Sequence, residues 1–226
     1  MFLTFINTRG IQNGKRVQLI FTSAKLVALF ALIVLGLAVG LKTDTLANNF
    51  HDMWTASQTI MKDDKVVAII PLAGFALLGA MGATIINSLF SSDAWNNVTF
   101  IAAEIKEPKK NIPRSLFLGT LIVTIIYILA NLAYLALLPL HGSHEATTIV
   151  GKGIMFATED RVGTAASSMI FGEIAVYLMA GLIMISTFGC NNGLILSGSR
   201  LFYAMSNDKL FFRKAGELNK NQVPAT

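Results

Sequence analysis

Apolar residues run along this chain in stretches too uniform for amphipathic helices and too long for the core of a small soluble domain. Residues 17–41 are mostly apolar with one internal charge, Lys25, and about 25 such residues cross a bilayer core with some tilt. A second run, residues 66–105, exceeds what one straight crossing needs. Its Pro71 and Gly74 predict a short interfacial piece, followed by a helix from about Ala76 to Phe90 within a span over residues 73–105. Residues 111–140, opened by Pro113 and closed by Pro139, and residues 169–203 predict two further spans. Met1 to Ile6 reads as the end of another hydrophobic helix, so the chain is expected to be a piece of a longer protein. No basic segment or small-residue cleavage site marks a signal peptide. The pattern predicts an all-α multi-pass membrane protein with four transmembrane helices. Residues 1–226 form one expected membrane domain, because no Pro-rich, Gly/Ser-rich or charge-run linker divides them.

The second run is broken where a membrane helix should have no break. Ser91, Ser92, Asp93, Asn96 and Asn97 fall together around Trp95. A backbone in lipid cannot leave its amides and carbonyls unpaired, so irregular chain survives there only inside protein or beside a wet cavity. The span is therefore expected to break at mid-membrane and to resume over Trp95 to Ile105. Packing alone is the simpler reading, since Ser and Asn often join membrane helices. The density of polar groups and the ionisable Asp93 favour a site, with Phe90 and Trp95 bracketing it as side chains able to close over a ligand.

Composition narrows the class. Hydrophobic residues make up 54% of the chain and charged residues 14%, outside the usual balance of soluble domains. A net charge of +5 does not signal nucleic-acid binding, because the basic residues sit between hydrophobic spans as topology signals do. Arg9, Lys15 and Arg16, then Lys106, Lys109, Lys110 and Arg114, then Arg200, Lys209, Arg213, Lys214 and Lys220 fall on one side. The other side carries fewer, diluted by Asp44, Asp52, Asp63, Asp64, Glu145, Glu159 and Asp160. Both termini are expected in the cytoplasm. One cysteine, Cys190, and three histidines, His51, His141 and His144, all expected in loops, offer neither a disulfide nor a metal-binding spacing. Neither a metal nor a cofactor is expected, nor an enzyme: a serine mechanism lacks its base, and an intramembrane aspartyl pair would need a second deep carboxylate beside Asp93, Glu173 lying near a helix end.

Two other spans carry polar groups. Lys25 lies about 12 Å into its span at 1.5 Å per residue; it either snorkels to the interface or is a functional ammonium whose burial, favouring the neutral form, would make it a proton carrier. In the last span Ser186, Thr187, Gly189, Asn191, Asn192, Gly193, Ser197, Gly198 and Ser199 form a small, polar stripe. Gly189 and Gly193, like Gly36 and Gly40, read as helix-packing positions, whereas Asn191 and Asn192 remain candidate site residues.

The string LFSSDAWNNVTFIAAEIKEPKKNIPRSL, followed by YILANLAYL, closely resembles the sixth and seventh helices of amino-acid permeases of the amino acid, polyamine and organocation transporter superfamily, nearest the L-type branch. RVQLIFTSAKLVALFALIVLGL is similar to that family's fifth helix and STFGCNNGLILSGSRLFYAMSNDKLF to its eighth. The resemblance covers nearly the whole chain. It implies part of a LeuT-type fold, from the end of the fourth helix through the eighth, without the first helix that receives the substrate carboxylate.

Residue by residue, it implies a substrate site of Phe90, Ser91, Ser92, Asp93, Trp95 and Asn96. Carbonyls near Phe90 and Asp93 would receive the substrate amino group, with Phe90 as gate. Lys25 would stand where sodium-coupled relatives hold a cation, partnered by Ser186. Many relatives have glycine where this chain has Asp93 or Ala94. The implied activity is sodium-independent transport of an L-amino acid across the plasma membrane by alternating access, through proton symport or exchange and without an obligatory subunit. The alternative is an inactive or structural membrane fragment.

Overall fold

The computed structural model describes residues 2–51, 55–62, 65–90, 93–221 and 223–224. Eight α-helices and one hairpin follow one another in the described residues: α1 (Phe2–Thr8), α2 (Ile11–Gly40), α3 (Thr45–His51), β1 (Ser57–Lys62), β2 (Lys65–Pro71), α4 (Gly74–Phe90), a 3₁₀ helix (Asp93–Glu104), α5 (Pro108–Leu137), α6 (Ile149–Lys152), α7 (Val162–Phe171) and α8 (Ile174–Asn207). Three of them, α2 from Gln12, α5 and α8, are long and apolar enough to cross a membrane. Many of their large side chains stay outside: Leu19, Val27, Phe30, Phe117, Ile128 and Met184 are all exposed. Such surfaces are stable when the surrounding solvent is hydrocarbon. The protein is a multi-pass membrane protein.

The elements depart from the sequence pattern at four places. Val66 to Pro71, absorbed above into one apolar run, is a strand, so the all-α expectation fails for a hairpin in which Ser57 pairs with Pro71, Ile60 with Ala68 and Lys62 with Lys65. The run is rich in Val and Ile, which suit a pleated strand, and Pro71 closes it, where a missing amide breaks no ladder. α5 opens on Pro108 rather than near Pro113, which lies inside the helix. The last span does not begin at Met169: Gly172, at φ +63, ends α7, and α8 starts at Ile174. His51 closes α3 instead of lying in a loop.

The chain divides into two compact units, to which α2, α5 and α8 each contribute. One comprises Met1–Ala28, Ala94–Thr124 and Ala180–Thr226 and the other Leu29–Asp93 and Ile125–Met179. In the first, α8 packs against α1 and the first half of α2. A Cβ at Gly189 would lie 3.0 Å from that of Phe21, and the Phe21 and Phe188 rings stack at 6.2 Å. The segment after α8 returns to α1, where Asn219 and Asn221 both donate to the Thr8 carbonyl.

In the second unit, the end of α2 meets the end of α5. A Cβ at Gly36 would lie 3.1 Å from that of Ala133, and one at Gly40 2.5 Å from that of Ala136. The two helices therefore finish side by side through small residues, which is how helices approach closely without a hydrophobic driving force. Asn49 of α3 fastens the end of α5: its Nδ2 donates to the Leu135 and Leu138 carbonyls at 2.8 and 2.9 Å, and its Oδ1 accepts from the Leu140 amide at 2.8 Å. The two carbonyls are groups a helix C-terminus leaves unpaired. Leu137, Leu138 and Ala166 form the buried cluster of this unit, with Tyr134, Ile154 and Val162 against it.

Candidate functional site

The predicted substrate stretch lies where regular α-helix stops. Phe90 is the last residue of α4 and Asp93 the first of the 3₁₀ helix; Ser91 and Ser92 fall outside the described residues, as do the side chains of Phe90 and Asp93. Trp95 and Asn96 are both exposed on the 3₁₀ helix, and the Asn96 carbonyl accepts from the Thr99 hydroxyl at 2.7 Å. A 3₁₀ stretch of 12 residues is long for a geometry that usually lasts one turn and that often marks a hinge when it interrupts a helical run.

Lys25 and Ser186 are both half-buried, on α2 and α8 of the first unit. No hydrogen bond joins them among the described residues, but the register of the two helices can be read from neighbouring contacts. The Gly14 carbonyl and the Gln18 side chain meet Asn192, Gln18 also lies against Gly193, and Phe21 lies against Gly189. Each step up α2 is matched by a step down α8, so the helices run antiparallel. One further turn brings Lys25 level with Ile185 and Ser186.

Asn191 and Asn192, neighbours in sequence, part company in the structure. Asn191 is exposed and lines an open, mostly apolar groove with Phe2, Leu3, Phe188, Leu194 and Ile195. Asn192 is fully buried. Its Oδ1 accepts from Asn7 Nδ2 at 2.9 Å, and its Nδ2 donates to Gln18 Oε1 at 2.9 Å and to the Gly14 carbonyl at 3.2 Å. Asn7 Nδ2 also donates to the Leu3 carbonyl at 2.9 Å. The amide of Asn192 thus binds α1, α2 and α8 together, with both its atoms committed to protein partners. Gly14 makes the approach possible, since a Cβ there would lie 2.9 Å from Leu196 Cδ2 and against the Asn7 amide oxygen.

Sequence reasoning missed Asn7 and Gln18 in this cluster and Asn49 in the other unit. Their signal was weak: an isolated amide near the end of an apolar helix resembles any interfacial polar residue. Among the described residues, no three His, Cys, Asp or Glu side chains gather as metal ligands would, and Cys190 is exposed.

Comparison with known proteins agrees with these elements. The sequence family described as "Amino acid permease" matches residues 1–226. The serine/threonine exchanger SteT of Bacillus subtilis is 34% identical over 209 residues, covering 92% of this chain and 40% of that protein. The large neutral amino acids transporter small subunit 2 of Mus musculus is 26% identical, over 90% of this chain and 33% of its own length. The b(0,+)-type amino acid transporter 1 of Mus musculus is also 26% identical, over 92% and 36%. The chain therefore spans 40% or less of the length of these relatives. With a family match along its whole length and membrane-crossing helices bearing the motifs, the chain belongs to the amino acid permease family.

Proposed function

We propose that this chain forms part of the core of a permease that moves L-amino acids across the plasma membrane by alternating access, without sodium. The observation that carries the reading is the family match over residues 1–226. The name of the 34% identical relative, a serine/threonine exchanger, favours exchange over proton symport and small neutral substrates over large or charged ones. The chain's basic segments support a cytoplasmic side for both termini.

Four crossings belong to this reading: α2, α5 and α8, each long and apolar enough to cross a membrane, and residues 73–105 as a fourth, broken span of a LeuT-type fold.

α4 ends at Phe90, and the carbonyl end of a helix carries the negative end of its dipole. A substrate ammonium is the complementary charge, and broken transporter helices receive cations in this way. Phe90 closes over the substrate, with Ser91, Ser92, Asp93, Trp95 and Asn96 around it. Lys25, level with Ser186 on the antiparallel α8, supplies a fixed positive charge where a coupling cation would otherwise sit, which is why no sodium is required. Asn192 holds that register, and Asn191 lines the groove beside it.

The test is uptake of radiolabelled L-serine into proteoliposomes holding the full-length protein, with each of the twenty amino acids as competitor. Saturable uptake that is unchanged by replacing sodium with choline is expected. Lys25→Ala should lose most of that uptake; a wild-type rate in this variant would remove the lysine from the mechanism.

A further inference from the structure

The corner between α1 and α2 holds a cavity of about 430 Å³ lined by Phe5, Ile6, Arg9, Asn13, Arg16 and Val17. It arises from two short helical faces. Phe5, Ile6 and Arg9 share one side of the α1 end, Asn13, Arg16 and Val17 share one side of the first turns of α2, and Gly10, at φ +127, sets the corner between them. Only glycine adopts that backbone angle readily.

The lining is divided in its chemistry. Phe5, Ile6 and Val17 make an apolar wall, and Arg9, Asn13 and Arg16 a polar one. The Arg9 guanidinium lies 4.7 Å over the Phe5 ring, and Asn13 Nδ2 donates to the Arg9 carbonyl at 3.4 Å, so both polar groups are held near the wall. The first acidic residue in the sequence is Asp44, and no carboxylate among the described residues pairs with Arg9 or Arg16. Two guanidiniums without a carboxylate suit an anion with several oxygens, because each planar fork grips phosphate in two places.

We propose that this cavity binds the phosphate headgroup of an anionic phospholipid. The mostly apolar stretch of α2 begins at Val17, so the cavity lies where the span meets the interface, and the exposed Leu19 and Ile20 continue from it as a path for an acyl chain. Basic pockets at such levels are recognised lipid sites. A topology signal alone requires only charge, which Lys15 supplies equally from outside the cavity. That difference provides the control.

The full-length protein in neutral detergent is titrated with phosphatidylglycerol, phosphatidylcholine or inorganic phosphate. Retained lipid is read by native mass spectrometry, which does not depend on transport. Phosphatidylglycerol should bind about tenfold more tightly than phosphatidylcholine, and the Arg9→Gln/Arg16→Gln double variant should lose most of this preference while Lys15→Gln keeps it. Arg16→Lys, which retains charge, folding and topology but not the fork, should weaken phosphatidylglycerol about threefold. Wild-type preference in the double variant and in Arg16→Lys would overturn the site. So would an equal loss in Lys15→Gln, which leaves charge alone as the cause, or displacement of the lipid by equimolar inorganic phosphate, which makes the cavity a free-anion site.

Discussion

Helix α2 is joined to its neighbours in two different ways along its length. In the first unit its partner is α8, and the joint is an amide cluster: Asn192 bonded to Asn7, Gln18 and the Gly14 carbonyl. In the second unit its partner is α5, and the joint has no polar side chain in its closest contacts, only Gly36 and Gly40 against Ala133, Ala136 and Leu137. Hydrocarbon offers apolar side chains no incentive to leave it, so a membrane helix gains by close backbone approach or by hydrogen bonds whose alternative is an unpaired group. One helix uses both. The small-residue joint tolerates no added atom, whereas the amide joint tolerates no lost partner.

Substitutions that add atoms should therefore do most damage at Gly40. A Cβ there would lie 2.7 Å from the backbone C and O of Ala136, and backbone cannot step aside as a side-chain tip can. Gly40→Val should cost about 3 kcal/mol or more, in the upper range for overpacking, read as a lowered midpoint in detergent unfolding. An unchanged midpoint would mean that the joint opens freely.

At the amide joint the informative measurement is a double-mutant cycle on Asn7→Ala and Asn192→Ala. A coupling of about 1 kcal/mol is expected, within the range of interhelical hydrogen bonds in membranes. Zero coupling would reduce the cluster to separate helix-to-helix packing and erase the contrast with the glycine joint. The smallest effect belongs to Gly119 of α5, which has nothing within 4 Å of an added Cβ. Gly119→Ala should stabilise by at most about 1 kcal/mol through helix propensity alone. A loss of stability there would show that glycines in this protein are sensitive irrespective of contact.

Much of the architecture was legible in the order of residues. Long apolar runs announced α2, α5 and α8, because a helix that satisfies its own backbone needs no distant partner to cross a bilayer. Gly36 and Gly40 were read as packing positions, and packing is where they sit. The hairpin was not legible, since Val66 to Pro71 is as apolar as a helical span and becomes a strand only by pairing with residues 57–62. Nor was the stop at Gly172 read, although Glu173 follows it directly, because the residues on both sides are apolar. Asn191 and Asn192 looked equivalent in one polar stripe, and adjacent helix positions point about 100° apart.

Hydropathy, charge placement and motif order are local properties, and from them came the membrane class, the family resemblance and the stretch from Phe90 to Asn96. The bonding of Asn192 and the alignment of Lys25 with Ser186 belong to a different level. Each depends on residues some 160 to 190 positions away being carried alongside by antiparallel helices. A lone sequence records that an amide or an ammonium lies in a span, but its partner is chosen by the register of a second helix, which only packing sets.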